Sequence, residues 1–133
     1  MAKERWIVDG MNVIGTGGGG GGGFGSWWKD RDAAMLKLVD MLERWAASDG
    51  EDVTVVFERP PSPPIRSTVI VVAHAPRPKR NAADDEIVRL LRADPEPSRV
   101  RVVTSDRGLA DQAWAAGASV EGADTFRSRI ETL

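Results

Sequence analysis

Four aspartates stand where a strand should end or a helix should begin: Asp9, Asp84, Asp85 and Asp106. Asp9 closes the apolar run Trp6-Ile7-Val8 and is followed by Gly10, Met11 and Asn12. Asp84 and Asp85 come after Asn81-Ala82-Ala83 at an expected helix start, and Asp106 comes after Val102-Val103-Thr104-Ser105. Carboxylates gathered on one rim repel, and some are pushed to higher pKa unless a cation neutralises them. A hard divalent ion resolves that conflict. Magnesium or manganese, held by a few carboxylates and several waters, can activate a water and stabilise a phosphodiester transition state. One ion or two would serve. Asn12 and Ser105 are uncharged and suit water positioning or phosphate contact. Asp111 lies about one and a half turns beyond Asp106 on the same expected helix. It is a further candidate to reach an ion through water, and a solvated helix face accounts for it equally well.

Composition narrows the alternatives. The chain has no cysteine, which excludes disulfides and thiolate metal sites. Its single histidine, His74, argues against a His-rich zinc site. At a strand end such a residue is more often structural than a general acid or base. The formal charge of −2 carries no basic signature, so any nucleic-acid binding must rest on a local patch or on metal ions. No signal-peptide pattern is visible, and no apolar run is long enough to span a membrane, so a cytoplasmic protein is expected. The 133 residues fit one domain, 1–133, with a sizeable core.

The elements that must position the acids follow from periodicity. Residues 5–8 read as a central strand buried on both faces. Gly10 then permits a close backbone approach or a positive φ. Val53-Thr54-Val55-Val56-Phe57 is a second strand ending at Glu58-Arg59, and the run from Thr68 to Ala73 is a third. Between them Pro60-Pro61-Ser62-Pro63-Pro64 reads as a stiff connector rather than a peptide ligand. Residues 100–103 give a fourth strand and Ser119-Val120 a short last one. A helix capped by Asp30 or Asp32 runs to about Ala47, with Met35, Leu38, Val39, Leu42, Trp45 and Ala46 on one face. A second helix opens at Asp84-Asp85-Glu86 and carries Ile87, Leu90 and Leu91 inward; three acids there also serve as caps and dipole partners. A third, capped by Ser105 or Asp106, faces Leu109, Ala113 and Trp114 inward and closes at Gly117. Asp124 caps a last one bearing Phe126, Ile130 and Leu133. Strands alternating with helices imply an α/β fold, a three-layer α/β/α sandwich with a mostly parallel central sheet. In such sheets ligands bind at the C-terminal ends of the strands, where the acids fall.

Two further stretches bear on function. Residues 15–26 form a low-complexity glycine loop at the mouth of the expected site. It is not a phosphate-binding P-loop, because no Gly-Lys-Ser/Thr opens a helix after it. Trp27 and Trp28 follow; packing of the helix start is the better reading, and stacking on bases the sharper one. The loop His74-Ala75-Pro76-Arg77-Pro78-Lys79-Arg80 is basic and leads straight into the acidic pair. Arg77, Lys79 and Arg80, joined by Arg59, Arg66 and Arg107, are candidates to line a phosphate path.

Taken in order, Val8-Asp9-Gly10-Met11-Asn12-Val13, Asn81-Ala82-Ala83-Asp84-Asp85 and Val103-Thr104-Ser105-Asp106-Arg107 resemble the NYN branch of the PIN-like nuclease superfamily. Val55-Val56-Phe57 and the Gly117-Ala118 region also fit. The nearest subgroup is that of the small bacterial YacP-like NYN proteins. The resemblance implies a PIN-like fold and a magnesium- or manganese-dependent endoribonuclease acting on single-stranded RNA. It places Asp9, Asp84 and Asp85 (one or both) and Asp106 on the metal, with Asn12 beside them, and Asp111 less securely. Arg77, Lys79, Arg80 and Arg107 are then the expected RNA contacts, and a monomer or weak homodimer the expected state. The glycine tract after Ile14 departs from the family pattern. Two other functions share these features: a non-catalytic RNA- or ribosome-associated binding module, and a metal-dependent phosphatase or nucleotide-binding protein. Retention of all the acids speaks against the first. Activity on mononucleotides but not RNA oligomers would mark the second.

Overall fold

The computed structural model describes residues 4–16, 24–77, 79 and 81–132. Residues 17–23 of the glycine loop, Arg80 and Leu133 therefore lie outside the described residues.

The first strand, β1 (Arg5–Asp9), runs without a break into a short helix, α1 (Gly10–Ile14). Helix α2 (Arg31–Asp49) leads to β2 (Asp52–Phe57) and then β3 (Val71–His74). There follow α3 (Ala82–Ala93), β4 (Val100–Val103), α4 (Arg107–Ala115), β5 (Ser119–Glu121) and α5 (Ala123–Glu131). The five strands form one sheet in the order β3-β2-β1-β4-β5, and every pairing is parallel. The chain builds outward from β1 on one side, then returns to build on the other. The order thus reverses between β1 and β4, and the C-terminal ends of those two strands frame the crevice where such sheets bind ligands.

Alternation along β1 divides the core into two layers. Trp6 and Val8 pack with Met35, Leu38, Leu42 and Trp45 of α2 and with Phe126 and Ile130 of α5. Ile7 packs on the other face with Val56, Val102, Ile87 and Leu91 of α3, and Leu109 and Ala113 of α4. Because strand side chains alternate, Asp9 shares the face of Ile7 and points toward α3 and α4. Trp6, Trp45 and Phe126 meet with ring centroids 5.0–5.6 Å apart and anchor the first layer.

Several local features differ from the sequence reading. The third strand begins at Val71 rather than Thr68, because Ser67 Oγ accepts the N–H groups of Val69 and Ile70 in a turn that delays it. Helix α2 extends to Asp49 and stops at Gly50, whose φ of 68° is left-handed. Its cap is Asp30, which accepts from Ala33 N–H; Asp32 instead accepts from Ser62 N–H and Arg59. Trp114 is 55% exposed, since Leu109, Ala110 and Ala113 complete the inner face of α4 and the next residue turns outward. Leu90 is only half-buried. The last helix is capped not by Asp124 but by Ser105, whose Oγ accepts from Ala123 N–H at 2.9 Å.

Candidate active site

Asp9 is the last residue of β1 and also the N-cap position of α1. So abrupt a change from strand to helix demands room for backbone, and Gly10 supplies it. A Cβ there would lie 2.5 Å from the Phe57 ring, so the requirement at this glycine is close approach. The turn brings Asn12 over the end of β4, where its Oδ1 accepts from Ser105 N–H at 2.7 Å.

The end of β4 is tied to Asp9 by a short relay. Asp106 N–H donates to Thr104 Oγ1 at 3.1 Å, and that hydroxyl donates to Asp9 Oδ2 at 3.0 Å. Thr104 is itself buried. Asp106 caps α4, its Oδ1 accepting from Leu109 N–H at 2.9 Å. A cap engages one carboxylate oxygen, which leaves the second for the crevice. Ser105, between these two residues, joins α1 to α5 through its N–H and its hydroxyl.

The three consecutive acids on α3 diverge. Asp84 turns toward Asp9 and Asp106 and is half-buried. Asp85 is exposed and pairs with Lys79 at 3.4 Å. Glu86 is buried and forms a two-pronged pair with Arg89, at 2.8 and 2.6 Å, which holds its carboxyl below the usual range. Of the three, Asp84 is the one whose charge acts on Asp9.

Electrostatics mark the crevice as unsettled. Asp9 is only 5% exposed. Burial first of all, then the charges of Asp84, Asp106 and Glu58, push its pKa from 3.8 to about 7 against the opposing effect of the Thr104 hydrogen bond. Asp84 rises from 3.8 to about 6, by burial and then by Asp106, Asp85 and Glu58.

Glu58 escaped the sequence reading. It follows β2 just as Asp9 ends β1, and its charge bears on both Asp9 and Asp84. Thr104 was missed as well. Asp111 and Arg107 are exposed on α4, and Asp111 is not among the charges acting on Asp9 or Asp84. Arg77 and Lys79 line a separate cavity of about 440 Å³ with Asp85 and Arg89. His74 is exposed, its Nδ1 2.9 Å from the Ala75 carbonyl oxygen. Of the paired tryptophans, Trp27 packs against the core, with the Arg31 guanidinium 5.5 Å above its ring, and Trp28 is 48% exposed.

The donor set suits a hard divalent cation: carboxylate oxygens, partly desolvated and mutually repelling. Among the described residues no three acid side chains are already arranged to hold an ion. Magnesium does not require that, because it keeps several waters and binds through one or two carboxylates. Among the described residues no helix is long and apolar enough to cross a membrane.

Comparison with known proteins gives a consistent picture. The family described as the YacP-like NYN domain matches residues 6–133. The crystal structure of Rae1 (YacP) from Bacillus subtilis superposes with a TM-score of 0.78 at 23% identity, covering 97% of this chain and 74% of that one. Its W164L mutant gives a TM-score of 0.76 at 21% identity, covering 97% and 75%. These likenesses show the shared fold. No curated protein matches the sequence.

Proposed function

The chain belongs to the YacP-like NYN family, and from that premise we propose that it is a metal-dependent endoribonuclease that hydrolyses phosphodiester bonds in single-stranded RNA. Family membership supports a nuclease-type, RNA-related function. The observation that carries the finer reading is Asp9: a buried carboxylate at the sheet's switch point whose burial and acidic neighbours disfavour its charge. Stability alone gives no reason to keep such a group, and a bound cation does.

Asp9, Asp84 and Asp106 are the residues that would hold magnesium or manganese, with Asp85 at the outer margin. A divalent ion bound there supplies Lewis acidity toward the phosphate and a water of lowered pKa. The remaining work falls to the protein. Thr104 fixes the Asp9 carboxylate, and Asn12 and Ser105 hold the β1 and β4 tips in register. Asp111 stands outside this set, as a solvated acid of α4. Arg77, Lys79, Arg80 and Arg107 are the proposed phosphate contacts of the RNA strand.

The test is cleavage of a labelled single-stranded RNA by wild type and Asp9→Asn, each with magnesium, manganese or EDTA. Metal-dependent cleavage lost in the variant supports the proposal. RNA binding without cleavage in any metal would replace it with a binding module.

A further inference from the structure

On the β2 side of the acid set lies a cleft of about 250 Å³, lined by Met11, Arg31, Met35, Glu58, Arg59 and Lys79. Its walls come from four separate segments: α1, the start of α2, the end of β2 and the approach to α3. The volume falls below the ~300–1,000 Å³ of sites that enclose drug-sized ligands. As an open cleft it can receive part of one nucleotide of a strand and no longer segment. The half-buried Met11 offers an apolar, polarizable surface for a flat ring, over a floor closed by the buried Met35. Three cations stand around it. Arg59 is held by a 3.4 Å contact to Asp32 at a half-exposed position and Lys79 by a 3.4 Å contact to Asp85 at an exposed one, both long and solvent-screened pairs of the weak kind. A phosphate can displace such partners readily. Glu58 is the single acid in the lining, and its charge also bears on Asp9 and Asp84, so the cleft adjoins the acid set directly.

We propose that this cleft is a subsite for the nucleotide next to the scissile phosphate, with Arg31 and Arg59 on its phosphate, its base against Met11, and the base's amino edge toward Glu58. The inference rests on the nuclease reading and adds to it a direction and a base preference. An RNA strand crossing the rim from β4 to β2 passes first over Asp106 and Asp9, then into the cleft. A carboxylate accepts hydrogen bonds and donates none. It therefore favours a base with an exocyclic amino group, such as cytosine through N4, over uracil, whose one donor on that edge, N3–H, lies between two carbonyl oxygens that the carboxylate repels.

The experiment is fluorescence-anisotropy binding of oligo(C) and oligo(U) of equal length, in EDTA, across a salt series. Arg31→Ala and Arg59→Ala each lower the slope of log K against log salt by about 0.7, the value for one lost contact to single-stranded nucleic acid. Arg44→Ala removes the same charge from an exposed site elsewhere on α2 and leaves the slope unchanged. Wild type binds oligo(C) roughly fivefold more tightly than oligo(U), and Glu58→Gln abolishes that preference. Equal slopes in all three arginine variants, or equal binding of the two oligomers by wild type, overturn the subsite. If those results accompany metal-dependent cleavage that needs Asp9, the subsite falls and the nuclease reading stands. If wild type neither binds nor cleaves RNA, both fall.

Discussion

Replacing Asp9 with asparagine should make the metal-free protein more stable at neutral and alkaline pH. Asparagine keeps the shape and an oxygen to accept from Thr104, and it removes the charge. The carboxyl's proton affinity is higher folded than unfolded, so the folded state holds more protons between the two pKa values. Stability linked to Asp9 is thus fully present below pH 3.8 and lost as pH rises through about 7. The gap from 3.8 to about 7 corresponds to about 4 kcal/mol at ~1.4 kcal/mol per tenfold in affinity. Counterions collecting at the acid rim reduce this, so the gain expected above pH 7.5 is roughly 2–4 kcal/mol.

Thermal melts of both proteins in EDTA, followed by the fluorescence of buried Trp6 and Trp45, measure it at steps from pH 4 to 8.5. The two melting temperatures should nearly coincide at pH 4. They should separate progressively, with the variant higher by roughly 3 °C or more per kcal/mol. Magnesium or manganese should then raise the wild-type melting temperature at pH 8 and leave the variant's almost unchanged, since an ion that binds only the folded state stabilises it by mass action. The reasoning is refuted if the variant is the less stable protein at pH 8. A difference that does not change with pH refutes it too, because packing rather than charge would then be responsible.

Substitutions at three other residues test the frame around Asp9. Asp106→Asn should abolish cleavage with little change in melting temperature, because asparagine caps a helix as well as aspartate; Asp106→Ala should cost about 1 kcal/mol, read by the same melts. Gly10→Ala should cost roughly 1–3 kcal/mol, since its methyl group would lie 2.5 Å from the Phe57 ring, and a melting temperature equal to wild type would show that the close approach is not real. Thr104→Val should cost roughly 1–3 kcal/mol by orphaning the Asp106 N–H. It should also shift the Asp9 titration, followed by carboxyl NMR signals, to higher pH, because the lost hydrogen bond is the one that lowers its pKa.

The layered α/β architecture was legible because its signals are local: an apolar strand core, a helical stripe on α2, glycines that end α2 and α4. Asp9 was legible for the same reason, as a carboxylate ending an apolar run. Glu58 carries a similar signal after Val55-Val56-Phe57, but it was read only as the end of that strand. The choice between Asp84 and Asp85 was open at the level of residue types but not at that of helix phase. Ile87 and Leu91 mark the inner face of α3, and Asp84 lies three residues before Ile87, on that face, whereas Asp85 is turned a further 100° away. Phase therefore argued for one acid, and the structure sends the other to Lys79. Thr104 had no comparable signal. Its partner Asp9 is 95 residues distant, and what joins them is the return of the chain across β1 to place β4 beside it. That return is a property of sheet order, which no window of sequence contains.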